Sequence, residues 1–153
     1  MNRNRQDAPL PLVLDTNVVL DLLIFDDPAV QPLARALAGG TVSAWADDST
    51  LKELEYVLAY PSFALDEAAR RSTFERYRSL VHLAPRDEET PLPPLPRCRD
   101  RDDQKFLVLA ARVAATWLVS KDKRLLSLAD RPGLPFHILT SRQMAERLRR
   151  SER

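Results

Sequence analysis

The sequence has few of the residue types from which several common kinds of site are built. Cysteine occurs once, at Cys98, which excludes both an internal disulfide and a cysteine-based zinc site. Glycine occurs only three times among 153 residues, and the chain lacks a glycine-rich phosphate loop. No apolar run approaches the roughly 18 residues that a bilayer requires. A hydrophobic content of 44% and a charged content of 29% are typical of a soluble globular protein.

Charge of either sign is not in excess, since 23 lysines and arginines stand against 22 acids. No overall basic field therefore indicates a nucleic-acid partner. Residues 1–9 are a polar extension without the apolar stretch of a secretory signal, so we expect a cytoplasmic protein. Residues 145–153 are an arginine-rich helix end, which can grip phosphates but is about as often simply solvated. We expect one domain over residues 1–153.

Apolar runs of strand length alternate with segments of helical periodicity. The predicted strands cover residues 10–14, 41–45, 81–83, 116–119 and 136–138. The predicted helices cover residues 18–25, 29–38, 47–60, 66–80, 102–115 and 123–128, and a last one begins at Ser141. In the fourth helix, Phe74, Tyr77 and Leu80 are expected to face inward. Residues 85–96, rich in proline and acid, are expected to form an extended connector.

This alternation of strands and helices predicts an α/β protein with a parallel sheet covered on both faces. Right-handed crossovers bring the carboxyl ends of the strands to one edge of such a sheet. Open α/β sheets bind their ligands along that edge. Side chains that directly follow the strands are therefore the first candidates for a site.

Two aspartates occupy equivalent places after predicted strands. Asp15 directly follows the apolar run 12–14, and Asp122 follows the run 117–119 after two intervening residues. If both runs are parallel strands, both carboxylates lie at the edge where ligands bind. An aspartate after a strand can also simply cap the next helix, so neither residue decides the matter alone.

Further acids stand at the starts of predicted helices. Asp100, Asp102 and Asp103 precede a strongly apolar helix, and Asp103 lies on its inward face. Acids in a first turn also favour the helix dipole, but three within four residues exceed what capping requires. A fourth candidate is Glu53, with Glu55 as its rival. Periodicity does not choose between these two glutamates.

A cluster of carboxylates without counter-charges would repel itself, and one member would take up a proton. Hard oxygen ligands suit Mg²⁺ or Mn²⁺, which binds a few carboxylates and keeps water for the substrate. Such an ion can neutralise a phosphodiester and activate water. His82 and His137 both lie in apolar, strand-like runs and are interpreted as structural, so no serine–histidine hydrolase is indicated.

Four blocks of sequence occur in a recognisable order. They are Leu-Asp-Thr-Asn at residues 14–17, residues 51–58, residues 98–107 and Leu-Val-Ser-Lys-Asp at residues 118–122. Together they resemble the PIN-domain family, from Leu12 to about Met144, and most of all the toxin components of prokaryotic toxin–antitoxin systems. The resemblance implies a three-layer α/β/α fold with a central, mostly parallel sheet of four to five strands. It also implies a metal-dependent endoribonuclease that cleaves single-stranded RNA by metal-activated water.

The resemblance also assigns roles to individual residues. Carboxylates that match Asp15, Glu53 and Asp122 hold Mg²⁺ or Mn²⁺ in the family. Side chains at three further matching positions support these carboxylates or the water on the metal by hydrogen bonding, and here they are Thr16, Asn17 and Ser120. The catalytic set expected for this chain is completed by a third aspartate.

The third aspartate is where the sequence departs from the family pattern. Many PIN domains place it eighteen residues before the last acid, and Gln104 stands there. We expect Asp103 to replace it, with Asp102 in reserve. A shift by one residue turns a side chain about 100° around a helix, which leaves its reach to the metal open. Arg124 also stands where many relatives carry a second acid.

Other interpretations compete with a ribonuclease. A haloacid-dehalogenase-type phosphatase needs a second aspartate two residues after the first, and Asn17 stands there. A receiver domain needs paired acids after the first strand. The main alternative is a catalytically weakened PIN fold that binds RNA or a protein partner. For the ribonuclease, the resemblance implies single-stranded RNA as substrate, a small antitoxin as partner, a tendency to form homodimers and no membrane association.

Overall fold

A computed structural model of the chain, which describes residues 8–151, contains one all-parallel sheet of five strands. The strands are β1 (Leu10–Leu14), β2 (Val42–Ala46), β3 (Val81–Leu83), β4 (Trp117–Val119) and β5 (His137–Leu139). Their order across the sheet is β3-β2-β1-β4-β5, so β1 is central. Leu12 of β1 is level with Ala44 of β2 and Trp117 of β4. The predicted parallel sheet is confirmed.

Helices connect the strands and cover the sheet on both faces, which gives the three-layer arrangement. They are α1 (Thr16–Leu20), α2 (Gln31–Ala38), α3 (Asp48–Leu58), α4 (Glu67–Leu80), α5 (Gln104–Arg112), α6 (Lys123–Leu126) and α7 (Ser141–Ser151). Helix α1 continues as a π-helical turn over Asp21–Phe25 and stops at Asp26, whose φ is 48°. Within residues 8–151, no helix is both long enough and apolar enough to cross a membrane.

Alternate residues of β1 belong to two apolar layers. Leu12 and Leu14 pack with buried side chains of α1, α2, α3 and α7 in one layer. Val13 packs with Phe106 and Leu107 of α5 in the other. Each side chain of this size contributes about 1.5–3 kcal/mol when fully buried. Strand β1 is packed on both faces. The position of Asp15, which directly follows it, is therefore fixed.

The start of α5 differs from the helix predicted over residues 102–115. Arg101–Asp103 form a 3₁₀ turn, and the α-helix begins only at Gln104. The Gln104 amide accepts a hydrogen bond from the Cys98 N–H at 2.7 Å and donates one to the Pro96 carbonyl at 3.1 Å. Gln104 therefore anchors the end of the connector over residues 85–96, which has no helix or strand, as predicted.

Some expectations about the helix surfaces and chain ends need correction or fall outside the description. Tyr77 is buried and Phe74 half-buried, as expected, but Leu80 is 46% exposed. Leu80 is the last residue of α4, where the chain passes directly into β3, so its side chain is not covered. The basic helix end predicted for residues 145–153 lies in α7 as far as Ser151. Residues 152–153, and residues 1–7 of the polar extension, lie outside the described residues.

Candidate active site

Asp15 lies at the carboxyl end of the central strand, 3% exposed. It is the N-cap of α1, where its Oδ1 accepts a hydrogen bond from the Val18 N–H at 2.9 Å. Its Oδ2 accepts a hydrogen bond from the Ser120 hydroxyl and a longer one, 3.3 Å, from the Lys121 N–H. Asp15 therefore caps a helix and is also held in one orientation at the ligand-binding edge.

Ser120 joins the ends of β1 and β4. The residue is fully buried, and its hydroxyl donates to Asp15 and accepts from the Asp122 N–H at 3.0 Å. This arrangement depends on the parallel pairing of the two strands, in which Leu14 is level with Val119. The two strand-end aspartates of the sequence are thus linked through one hydroxyl group.

Asp103 and Asp122 lie beside each other at this edge. Asp122 caps α6 by accepting a hydrogen bond from the Arg124 N–H at 2.8 Å, and Asp103 sits in the 3₁₀ turn before α5. Among fully buried side-chain oxygens and nitrogens of residues 8–151, Asp103 Oδ2 alone has no hydrogen-bond partner. A buried polar atom without a partner costs roughly 1–3 kcal/mol, so it calls for a functional explanation.

Burial, together with the neighbouring acids, raises the pKa of Asp103 and of Asp15. For Asp103, burial is the largest cause, followed by the hydrogen bond that its protonated form can make to Asp122 and by the negative charges of Asp122, Asp100 and Asp15. Together they raise the pKa of Asp103 to about 7. Burial also raises the pKa of Asp15, against the lowering effect of the hydrogen bonds that it accepts. Arg124 Nε lies 3.7 Å from Asp122 Oδ1, but within residues 8–151 neither Asp15 nor Asp103 forms an ion pair. Such shifts are expected where carboxylates gather with little counter-charge, which is common at functional sites.

Glu53 of α3 contacts the residues next to the aspartates, and both of its oxygens accept hydrogen bonds. The hydroxyl of Thr16, the residue next to Asp15, donates to Oε2. The Lys105 ammonium donates to Oε1 at 2.7 Å. Glu55 is exposed, so Glu53 is the glutamate that the fold turns toward the site. We call Asp15, Asp103 and Asp122 the aspartate end of the site, and Glu53 with Thr16 and Lys105 the glutamate end.

Two residues expected at the site, Asp102 and Asn17, have exposed side chains. The backbone N–H of Asp102, the reserve for the third acid, is used by Asp100 Oδ1. The 3₁₀ turn explains why Asp103 reaches Asp122 although it lies one residue earlier than the family position, since its geometry differs from that of an α-helix. Gln104, which occupies that position, instead forms hydrogen bonds to the end of the connector.

Three charged residues border the site without having been singled out from the sequence. Asp21 is 8% exposed and accepts a hydrogen bond from the Lys121 ammonium at 2.8 Å. Lys105 pairs with Glu53 across 52 positions of sequence. Asp21 carried a usable signal, because a lone acid inside the apolar segment 18–25 needs a buried partner. Lys105 and Lys121 carried none, since a lysine beside acidic motifs is ordinary on a protein surface.

The aspartate end has donors that fit a divalent cation. Within residues 8–151, no three acidic, histidine or cysteine side chains already form a complete metal-binding group. The chemistry of the donors nevertheless suits a hard ion, because carboxylate oxygens are the ligands that Mg²⁺ and Mn²⁺ prefer. When both carboxyl groups are ionised, Asp103 Oδ2 beside Asp122 is an oxygen to which no protein group donates. The role of these residues as metal ligands stays a prediction.

The fold and the site first define a class: a parallel α/β protein with an acidic site at the carboxyl edge of its central strands. Residues 11–124 match the family model of the PIN domain. Because this match covers most of the chain, the protein belongs to the PIN-domain family. No curated protein matches the sequence. PIN domains are in general nucleases that use divalent metal ions, and this chain has their fold.

Proposed function

We propose that the protein is an Mg²⁺- or Mn²⁺-dependent endoribonuclease that cleaves single-stranded RNA. The observation that carries the proposal is the buried, unpartnered Oδ2 of Asp103 beside Asp122. Carboxylates crowded in this way are stabilised by a divalent cation, and hydrolysis of a phosphodiester is a reaction that such a cation supports. Membership of a nuclease family favours the same chemistry.

In this proposal Asp15, Asp103 and Asp122 hold the ion. When bound, the ion supplies positive charge to the phosphodiester and lowers the pKa of water. Ser120 and the Val18 N–H keep the two oxygens of Asp15 in place. A carboxylate held in this way need not reorient as charge develops on the reacting phosphate, which is the advantage of a preorganised site.

Cations border the aspartate end and suit a polyanionic substrate. The side chains of Lys121 and Arg124 are 53% and 52% exposed, and they pair with Asp21 at 2.8 Å and Asp100 at 3.0 Å. Because about half of each of these cationic side chains is exposed, both can also approach the phosphates of a substrate. A single strand can bend its backbone toward the recessed Asp15, whereas the backbone of an A-form duplex is held in a regular helix.

The test is cleavage of an end-labelled single-stranded RNA in Mn²⁺, Mg²⁺ or EDTA by wild type, Asp15→Asn and Asp103→Asn. We expect metal-dependent cleavage that falls by about 10²-fold or more in each variant, because each loses a charged ligand of the ion. Matched single-stranded DNA and duplex RNA measure the preference for single-stranded RNA.

Asp102→Asn is the matched control, since it makes the same change one residue earlier in the same turn, on an exposed side chain. Its cleavage rate should stay within about 2-fold of wild type. Loss with Asp15→Asn but not with Asp103→Asn would keep the nuclease and remove Asp103 from the site. Absence of cleavage by every form, on varied RNAs and with Mn²⁺ present, would contradict the proposal.

We further propose that the nuclease is the toxin of a toxin–antitoxin pair. The support is the resemblance of the four sequence blocks to such toxins. Induced expression in bacteria should stop growth for wild type but not for Asp103→Asn, and the product of a neighbouring small gene should restore growth. Normal growth with active enzyme would remove the toxin role and keep the nuclease. Light scattering on the purified protein tests the homodimer implied by the same resemblance.

A PIN fold that binds RNA or a partner without cutting is the second candidate. The engagement of both Glu53 oxygens favours it, because one expected metal ligand is already used within the protein. Thermal unfolding separates the two candidates. Mn²⁺ should stabilise a nuclease, and Asp15→Asn should abolish that stabilisation. A melting temperature indifferent to Mn²⁺ would support the binding protein.

A further inference from the structure

We propose that the Lys105 ammonium takes the place of a second divalent ion at the glutamate end, so that the protein works with a single ion at the aspartate end. This inference rests on the proposed nuclease function. It starts from one contact, in which Lys105 Nζ lies 2.7 Å from Glu53 Oε1. Sites that cleave phosphodiesters with two ions use the second one to hold an additional positive charge at the scissile phosphate.

The contact is built into the fold. Lys105 lies in the first turn of α5, two residues after Asp103, while Glu53 comes from α3. The Lys105 and Glu53 side chains are only 23% and 19% exposed, whereas the surface pair Arg71–Glu67 is 72% and 77% exposed. Because α5 directly follows the turn that carries Asp103, two residues two positions apart place a carboxylate at one end of the site and a cation at the other.

An arriving cation therefore meets different surroundings at the two ends. At the aspartate end, Asp103 Oδ2 has no protein partner. At the glutamate end, an ion would have to displace the ammonium from Oε1 and the Thr16 hydroxyl from Oε2. Two cations a few ångströms apart also repel each other strongly where water is partly excluded. The glutamate end is thus neutralised before any ion binds, and Lys105 leaves a fixed positive charge there.

The experiment counts bound Mn²⁺ by calorimetry and by electron paramagnetic resonance of the free ion. Wild type and the charge-preserving Lys105→Arg should bind one ion. Lys105→Met should bind a second, weaker ion, because Glu53 then becomes an unpaired carboxylate. The double variant Lys105→Met/Glu53→Gln should return to one. In RNA cleavage below saturation, the slope of log rate against log Mn²⁺ should rise from about one in wild type toward about two in Lys105→Met.

Glu53→Gln keeps the proposal testable even if Lys105→Met fails to fold, as judged by circular dichroism. It should retain the single ion, because the ion is held elsewhere, but bind it more weakly, because the unpaired Lys105 ammonium repels it. Two ions in wild type, a single ion in a folded Lys105→Met, or loss of the ion in Glu53→Gln would each overturn this inference and leave the nuclease standing. No Mn²⁺ bound by any form would overturn both.

Discussion

The aspartate end and the glutamate end of the site lie next to each other but differ in how their carboxyl charges are compensated. At the aspartate end, Asp103 and Asp122 face each other beside the buried Asp15, and burial and mutual repulsion raise the pKa of Asp103 to about 7. At the glutamate end, Lys105 and Thr16 satisfy both oxygens of Glu53. One end therefore carries charge that destabilises the fold, whereas the other carries charge that supports it.

The ion pairs around the site explain how a group of acids can be accommodated in a folded protein. Ion pairs surround the crowded carboxylates: Lys105 with Glu53, Lys121 with Asp21 and Arg124 with Asp100. Arg124 also lies 3.7 Å from Asp122, so among the three aspartates only Asp15 and Asp103 have no ion pair within residues 8–151. Removing one carboxyl charge should consequently stabilise the metal-free protein at the aspartate end and destabilise it at the glutamate end.

Glu53→Gln should give the largest effect, a loss of about 1–3 kcal/mol in the free energy of unfolding at pH 7 without metal. The substitution keeps the shape of the side chain but leaves the partly buried Lys105 ammonium without its counter-charge. Chemical denaturation followed by circular dichroism measures the difference. Glu55→Gln, on an exposed residue of the same helix, is the control and should stay within about 0.5 kcal/mol of wild type. Equal effects of the two variants would show that the Lys105 contact contributes nothing.

Asp103→Asn should raise the free energy of unfolding of the metal-free protein, by an amount that depends on pH. Asp103 has a folded-state pKa of about 7 against an ordinary value of 3.8, so the folded protein binds its proton more tightly than the unfolded chain. The stability of metal-free wild type therefore falls as pH rises from about 4 to about 7. Asparagine does not titrate, so the variant should equal wild type near pH 4 and exceed it by about 1–2 kcal/mol at pH 8. This figure is reduced because the group is partly screened by solvent.

The measurement is denaturation of both proteins in EDTA across pH 4–8. Asp102→Asn provides the control, since its exposed side chain should give no such pH-dependent difference. If Asp103→Asn were less stable than wild type at pH 8, the aspartate would support the fold rather than strain it. The contrast between the two ends would then be wrong.

The fold and the positions of two site residues could be predicted from the sequence because they depend on local pattern. Alternation of apolar runs with helical periodicity indicated the sheet, and parallel strands bring Asp15 and Asp122 to one edge whatever the details of packing. Glu53 could not be separated from Glu55 by periodicity, since both lie on the margin of the apolar stripe of α3. Only the packing of α3 beside Thr16 and Lys105 distinguishes them.

The rest of the site depends on contacts between distant parts of the chain. Lys121 and Asp21 are 100 positions apart, and Lys105 and Glu53 are 52 apart, so no local pattern announces either pair. The choice of Asp103 over Asp102 depends on the 3₁₀ turn at residues 101–103 and on the use of Gln104 to hold the connector. A helical wheel drawn for a continuous α-helix misplaces these side chains.

The smallest expected effects concern two hydroxyl groups, one at each end of the site. Ser120 donates to Asp15 and Thr16 donates to Glu53, and both residues are buried. If the ion lies at the aspartate end, Ser120→Ala should weaken Mn²⁺ binding about 10-fold, because the group that orients a ligand is lost. Thr16→Val, which keeps the shape of the side chain, should change it by less than about 2-fold. Calorimetric titration of both folded variants measures their affinities for Mn²⁺. A larger loss of affinity in Thr16→Val would indicate that the ion binds at Glu53 instead.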